Sequence, residues 1–493
     1  MTVCFTEAQP ACAQNDQAAE PQDRKSCVRP VQQNRYGEKL QMELKGKKVL
    51  VFGCGKSGIA AANLLCLFDA DVLLFDGNIK LDENVIRGHL TDPDNITIKF
   101  GKLGRETIGS LDLAVLSPGV PADAPLVEEM RRAGVSVWGE VELAYRCGRG
   151  DVLAVTGTNG KTTTTSLLGE IMAAACGDVR VVGNIGIPYT SMIAGATDRT
   201  VTVAEISSFQ LETIDEFCPK ISAILNITPD HLNRHHTMEN YIRAKLAITK
   251  NQTRKEVCVL NYEDEVLRNF GESAEVSVLW FSSARELENG LYLKEGAIWY
   301  ARANYIRKVI CVSELNLLGT HNYENVMAAC AMAISYGVEL ETIRTVLRAF
   351  RAVEHRIEYV TEKRGIRFYN DSKGTNPDAA IKGILAMDRP TFLIGGGYDK
   401  QSSYDEWIAS FGGKVKKLVL LGETREKIAG EAKRQGFLDY VFVDSLEEAV
   451  AYCYANAEEG DAVLLSPACA SWDMFPNYEV RGKRFKELAL GLD

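Results

Sequence analysis

Short apolar runs recur along the chain, and most end in a glycine- or serine-rich polar turn. KKVLVF runs into GCGKSG at 47–58, VLAV into GTNGKT at 152–162, and VTVA into EISSFQLE at 201–212. ISAI leads into LNITPDHL, IRFY into NDSKGT, PTFLI into GGG, KKLVLL into GET, and DAVLL into SPACAS. Unbroken apolar runs of this length suit strands covered on both faces, as in parallel sheets. Between them, TTSLLGEIMAAA, ENYIRAKLAI and GTHNYENVMAACAMAIS read as helices. Strand, turn and helix in alternation predict an α/β protein of parallel sheets wrapped by helices. VSVLWF, GLYLK and AIWYA, around 275–310, read as added antiparallel strands, and VSVWGEVELA as a strand-like run leaving the first domain.

The 493 residues leave room for about three domains of ~150 residues each. The pattern divides them into 1–41, a flexible leader; 42–145, a Rossmann-like domain; 146–351, a central P-loop domain with a parallel sheet; and 352–493, a second Rossmann-like domain. The leader is rich in Gln, Ala, Asp and Pro, without periodic apolar positions or the apolar core of a signal peptide. A net charge of -10 argues against a nucleic-acid partner held on a basic surface. No apolar run approaches the ~20 residues of a membrane span. Thirteen cysteines without a C-x-x-C pair fit reduced thiols in the cytoplasm.

The turns at the strand ends carry the candidate chemistry. In GTNGKT a glycine-rich turn precedes a helix, so backbone N–H groups and the helix dipole point at one place suited to a phosphate. Lys161 adds a mobile cation and Thr162 a hydroxyl that can ligate Mg²⁺. The loop is a shortened P-loop, with Gly157 standing in for the usual first glycine. Glu205, at the end of a strand, can complete a Mg²⁺ shell or act as a helix N-cap. Three of the six histidines fall within 231–236. No cysteine or spaced fourth ligand accompanies them, so His231 reads as magnesium-associated and not as a zinc ligand. Asn322 and Asn325 share a helix face and can bond a nucleotide, or one of them can cap the helix. Arg356, just past a domain boundary, can reach the P-loop's phosphates on closure, in the manner of an arginine finger. Lys245, by spacing alone, reads as a solvated helix lysine. Gly53-x-Gly55-x-x-Gly58 with Asp76 is the dinucleotide fingerprint. It suggests NAD, but any diphosphate nucleotide fits its geometry.

GTNGKT, GNIG, EISSFQLE, NITPDHL, GTHNYEN, EHR, NDSKGTN and SPACASWDMF, in this order, resemble the Mur ligase family, ATP-dependent cytoplasmic enzymes that build the peptide stem of cell-wall precursors. The resemblance covers about residues 46–490. GNIGIP, SSFQLE, DSKGTN and SPACAS resemble the D-glutamate-adding branch. The branch that adds the third residue carries a DNPR motif absent here. The resemblance implies that Gly157, Thr158, Asn159, Gly160, Lys161, Thr162 and Thr163 cradle ATP, with Lys161 on the β- and γ-phosphates. Asn322, Asn325, Arg356 and Asp371 match further nucleotide contacts. Thr162 and Glu205 would hold one Mg²⁺, and His231 would act at a second. Lys245 matches a lysine that the family carbamylates, which reverses the solvated reading. Ser57, Asp76, Ser117 and Gly119 match the UDP end of a UDP-N-acetylmuramoyl-L-alanine substrate, and Asn184 its muramoyl-alanine end. Lys373, Thr375, Lys400, Ser471 and Tyr478 match a D-glutamate pocket.

Tyr478 and Trp472 stand where other members often carry Phe and Leu, GGGYDK is longer than the common GGxDK, and Lys56 replaces a usual apolar residue. The implied chemistry is acyl-phosphate formation from ATP, then amide formation, by an enzyme expected to be a monomer. An NAD oxidoreductase leaves the P-loop unexplained. A non-catalytic nucleotide switch leaves the lysines and hydroxyls of the third domain unexplained. Folylpolyglutamate synthase shares the central domain but lacks a UDP-binding first domain of this kind.

Overall fold

The computed structural model describes residues 43–184, 186–303, 305–351 and 354–493. The leader expected at 1–41 lies outside the described residues. Among those described, the strands form three sheets.

The first sheet runs in the order Ile96–Phe100, Asp71–Asp76, Lys48–Phe52, Leu113–Leu116, Ser136–Gly139, with every pair parallel. The order reverses at Lys48–Phe52, so a crevice opens beyond its carboxyl end. The helix Lys56–Leu67 starts there. A Cβ on Gly58 would lie 1.7 Å from the Gly53 carbonyl oxygen, so only glycine lets helix and turn approach so closely. VSVWGEVELA is only half strand. It continues as the helix Glu140–Cys147. The buried Glu142 pairs with the half-buried Arg146 one helical turn on, at 2.6 Å. The Glu142 carboxylate also accepts the N–H groups of Asp215, Glu216 and Phe217. That tertiary anchoring favours the helix.

The second sheet runs Tyr305–Cys311, Ala297–Arg302, Asn289–Lys294, Ser277–Ser282, Val257–Asn261, Ile221–Ile224, Asp151–Thr156, Val201–Glu205, Val179–Gly183. Asp151–Thr156, the strand before the P-loop, has a parallel neighbour on each side. The antiparallel reading of 275–310 holds for Asn289–Lys294 and Ala297–Arg302, and the latter pairs antiparallel with a further strand, Tyr305–Cys311, that was not anticipated. It fails for Ser277–Ser282, which pairs in parallel with both neighbours. The helix Glu265–Ser273 supplies the crossover that a parallel strand needs.

The third sheet runs Glu358–Lys363, Ile366–Asn370, Ala462–Leu465, Thr391–Gly395, Val415–Leu420, Tyr440–Phe442. Its first pair is antiparallel and the rest are parallel.

The P-loop helix Lys161–Ala175 packs Leu167, Leu168, Ile171 and Met172 into one core with Val326, Met327 and Cys330 of the helix Thr320–Tyr336. Each such side chain contributes roughly 1.5–3 kcal/mol. This core fixes Asn322 and Asn325 beside the P-loop. No helix among the described residues is long and apolar enough to cross a membrane.

Candidate active site

The P-loop is held open by its backbone and braced from outside. Gly157 and Gly160 have φ of +149° and +86°. A Cβ on Gly160 would lie 2.1 Å from Asn325 Oδ1. The Asn226 side chain accepts the Asn159 N–H at 2.8 Å and donates to the Asn159 carbonyl at 3.2 Å. The buried Tyr241 shares a 2.9 Å hydrogen bond with the Thr158 hydroxyl. The amide of Asn325 donates to Asn322 Oδ1 at 3.2 Å, and Asn322 donates to the Leu318 carbonyl at 2.7 Å. Neither asparagine caps the helix, because the cap position is Gly319. Thr163 is buried along with Thr162.

Two lysines converge on one carbonyl. Lys161 Nζ donates to the carbonyls of Gly157 and Thr158, both at 2.9 Å, and Lys245 Nζ donates to Gly157 at 2.7 Å. Lys245 is 2% exposed and lies over the Tyr241 ring at 4.7 Å. The solvated-helix reading of Lys245 is therefore wrong: its helix, Met238–Leu246, turns this position onto the P-loop. Burial first, then the Lys161 charge, hold the Lys245 amine well below the ordinary lysine value. Burial likewise lowers Lys161.

Glu205 is buried at its strand end. One carboxylate oxygen accepts the Asn184 amide at 2.9 Å, and the other is buried without a hydrogen-bond partner. The N-cap of the following helix is Ser207, so Glu205 has no capping role. Thr162 Oγ1 accepts a hydrogen bond from Arg356 at 3.2 Å, and Arg356 Nε is buried without a partner. A hard cation takes oxygen ligands; the orphan oxygen of Glu205 and the Thr162 hydroxyl are of that type, so the residues fit Mg²⁺. His231 is half exposed, has φ +52°, packs edge-on against Phe209 at 4.9 Å and lies 3.5 Å from Asp230.

The third sheet brings its polar groups to the carboxyl ends of its strands. Burial raises the Asp371 carboxyl to about 7; its Oδ2 accepts the Ser466 hydroxyl at 2.6 Å. Burial, reinforced by Arg356, pushes the Lys373 amine down to about 8. Lys373 Nζ sits over the Tyr478 ring at 5.1 Å. Thr375 N donates to the Lys373 carbonyl at 2.8 Å. Ser471 Oγ is buried without a partner. Lys400 is exposed, over the Trp472 ring at 5.0 Å. Arg481 ties this corner together by donating to the Ser372 hydroxyl and carbonyl and to the carbonyls of Cys469 and Ala470.

At the first sheet's crevice, Ser57, Asp76, Ser117, Gly119 and Asn184 line one cleft of about 530 Å³ with Lys56 and Gln210. Asp76 accepts the N–H groups of Cys54 and Asn78, each at 2.9 Å, so its carboxylate caps the glycine turn. Ser117 donates to the Gly53 carbonyl at 3.2 Å.

The sequence reading passed over Asn226, Tyr241, Ser466, Arg481 and the half-buried Lys382, whose amine is lowered by desolvation. Asn226 stands in the strand-end segment LNITPD, a position that could have drawn attention to it. Arg481 sits in a helix of mixed charges and carries no comparable signal.

A P-loop sheet placed in sequence between two doubly wound α/β sheets, with Arg356 reaching from the third-sheet segment to Thr162, is the architecture of a three-domain nucleotide-dependent ligase. Profiles for the Mur ligase MurD-like N-terminal domain, the Mur ligase middle domain and the Mur ligase glutamate ligase domain match residues 47–139, 155–333 and 355–469. The chain belongs to the Mur ligase family. It is 56% identical over 447 residues to the UDP-N-acetylmuramoylalanine--D-glutamate ligase of Lachnoclostridium phytofermentans, covering 90% of this chain and 98% of that one. The ligase of the same name from Clostridioides difficile is 48% identical, over 90% of this chain and 99% of the relative. Among solved structures, MurF from Acinetobacter baumannii superposes with a TM-score of 0.59 at 16% identity, covering 92% of this chain and 98% of that one. UDP-N-acetylmuramate-alanine ligase MurC from Thermotoga maritima gives 0.55 at 19%, covering 90% and 98%. At these identities the likeness is one of fold.

Proposed function

We propose that this chain joins D-glutamate to UDP-N-acetylmuramoyl-L-alanine at the expense of ATP, in the cytoplasm and as a monomer, for synthesis of peptidoglycan precursors. Residues 42–145 bind the UDP-linked substrate, 146–351 bind ATP, and 352–493 bind the amino acid. The relatives' shared name supports the substrates. One observation carries the chemistry: the hydrogen bond from Arg356 to Thr162, which brings a half-buried guanidinium from the amino-acid side onto the P-loop.

The alanine carboxylate attacks the γ-phosphorus of ATP, giving an acyl phosphate and ADP. The amine of D-glutamate then attacks the acyl carbon, loses a proton, and phosphate leaves. Both partners of the first step are anionic, so the site's work is charge offset and positioning. Lys161 moves from the loop carbonyls onto the β- and γ-phosphates, beside the N–H groups of Gly157 to Thr163. Asn322 and Asn325 shape the nucleotide side, and Asp371 adds an acceptor. Arg356 offsets charge developing on the transferred phosphoryl group. Thr162 and Glu205 would hold Mg²⁺ and His231 would act at a second ion; the metal would there screen the phosphate charge. Lys245, whose amine burial holds well below the ordinary lysine value, is suited to attack CO₂ as the free amine and release a proton, giving a carbamate, which turns a base into an anionic oxygen ligand. Lys373, Thr375, Lys400, Ser471 and Tyr478 receive D-glutamate, and Lys373 and Lys400 face its two carboxylates. Asn184 bridges Glu205 and the UDP-side cleft, so it places the alanine end.

The test is ADP release with mass analysis of the product. ADP should form only when ATP, Mg²⁺, UDP-N-acetylmuramoyl-L-alanine and D-glutamate are all present. Equal turnover with L-glutamate or a diamino acid in place of D-glutamate would overturn the assignment.

A further inference from the structure

The loops after Thr391–Gly395 and Ala462–Leu465 are stitched into one rigid platform. Gly396 N donates to the Pro467 carbonyl at 2.9 Å and Tyr398 N to the Ala470 carbonyl at 3.0 Å. Gly397 N donates to Thr424 Oγ1, and Thr424 N returns a bond to the Gly397 carbonyl, both at 3.0 Å. A Cβ on Gly397, at φ +145°, would lie 2.2 Å from the Ala470 carbonyl oxygen, so a glycine there lets the loops touch. The Asp473 carboxylate accepts Glu423 N at 3.0 Å and fixes the turn just past Trp472.

Three long side chains stand on this platform: Tyr398, Lys400 and Trp472. Trp472 is 62% exposed, which is unusual for so large an apolar group. Its ring lies 5.5 Å from that of Tyr398, tilted by 56°, and 5.0 Å from Lys400 Nζ. The neighbouring carboxylate of Asp399 is engaged by Lys427 at 3.2 Å. No ion pair of Lys400 occurs among the described residues. The indole face therefore supports this ammonium while leaving its N–H groups free to donate. The pocket's other lysine, Lys373, lies over Tyr478 at 5.1 Å in the same manner.

We infer that Trp472 is a positioning residue for D-glutamate: its indole face, braced by Tyr398, holds the Lys400 ammonium over the paired loops, so that a flexible lysine is ordered before the amino acid arrives. This rests on the proposed reading of Lys400 as a D-glutamate contact. An unsupported lysine must be ordered on binding, and its rotamer freedom is then lost at the expense of affinity. A Leu at 472 fills space but offers no quadrupole to a cation.

The test is steady-state kinetics of the full chain for Trp472→Leu, Trp472→Phe, Lys400→Met and the double variant Lys400→Met/Trp472→Leu. Trp472→Leu should raise KM for D-glutamate about two- to five-fold, the size of an exposed cation–π contact, with KM for ATP and the melting temperature unmoved. Trp472→Phe should recover most of that loss. In the Lys400→Met background, Trp472→Leu should add nothing. If Lys400→Met raises KM for D-glutamate but Trp472→Leu does not, or if the two effects add in full, the inference is overturned while the Lys400 reading stands. If Lys400→Met leaves KM unchanged, the Lys400 reading falls and the inference falls with it.

Discussion

Replacing Lys245 by methionine separates a structural lysine from a chemical one. The side chain is fully buried, with Nζ donating to the Gly157 carbonyl at 2.7 Å. The same carbonyl also accepts Lys161 at 2.9 Å, so Lys245→Met leaves it partnered. Methionine keeps the volume, so little cavity forms. The loss is one hydrogen bond, about 1 kcal/mol. Against it stands the cost of an amine that burial and Lys161 hold well below its ordinary value. The sign follows from linkage. Between the lowered folded value and the ordinary unfolded one, the unfolded chain binds the extra proton. The parent's stability therefore rises with pH through that window, by at most about 1.4 kcal/mol per unit. Below it, the parent carries a penalty that methionine lacks. Lys245→Met should thus lie within ~1 kcal/mol of the parent or above it at pH 7, and fall behind as the pH rises toward 10. Activity should behave otherwise. Loss of one preorganised electrostatic group costs on the order of 10²–10³ in rate, and added bicarbonate should raise ADP release in the parent alone. Urea melts at two pH values and ADP-release assays read both. Parent-level turnover in Lys245→Met would refute the chemical role. A loss of more than about 3 kcal/mol at both pH values would show that the lysine is a structural pillar.

Glu205→Gln keeps the bond to Asn184 in shape but removes the charge at the unpartnered oxygen; the Mg²⁺ concentration for half-maximal ADP release should rise at least tenfold, about 1.4 kcal/mol, with melting unchanged. Lys373 is held near 8, so kcat/KM for D-glutamate should fall as the pH climbs past that value and the ammonium is lost; Lys373→Arg should abolish that limb, even if it lowers the plateau. The first-sheet cleft should bind UDP and not NAD in calorimetry, and Asp76→Ala, which uncaps the Cys54 and Asn78 N–H groups, should weaken UDP binding by roughly 1–3 kcal/mol.

Much of the fold was legible because both-face burial writes unbroken apolar runs, and Val49–Val51, Leu153–Val155, Val203–Ala204 and Val463–Leu465 are all buried. The failures lie where tertiary contacts outvote local pattern. Helix 140–147 looked like a strand because its buried Glu142 answers to the distant segment 215–217. Glu358–Lys363 was missed because an edge strand with polar positions on both faces carries no apolar signature. Of the site, the P-loop was legible in its glycines, since a positive φ and close approach restrict the residue type. Lys245 was not, since no periodicity says whether a helix lysine meets water or the P-loop beside it. Asn226 and Tyr241 act by bracing backbone, which leaves little mark in a single sequence.

The chain carries a net charge of -10, yet its three proposed substrates are all anions. The cations that would meet them, Lys161, Arg356, Lys373 and Lys382, cluster around the P-loop and the ends of the third sheet, and burial lowers the lysines among them. The acids that act on them include Glu205, with one orphan oxygen, and Asp371, raised to about 7, together with Asp230 near Lys161, Glu479 near Lys373, and Asp378 and Glu324 near Lys382. Attraction is thus confined to short range inside the site, while the far field is repulsive. Salt separates the two. Between ~0.01 and 0.15 M the screening length shrinks from about 30 to about 8 Å. The far field should be screened first, with desolvated contacts little affected. The kcat/KM for ATP at saturating Mg²⁺ should therefore hold level or rise over that range. A steady fall of tenfold or more would mean that long-range attraction guides the substrates in, and that the binding face is far more basic than the whole chain.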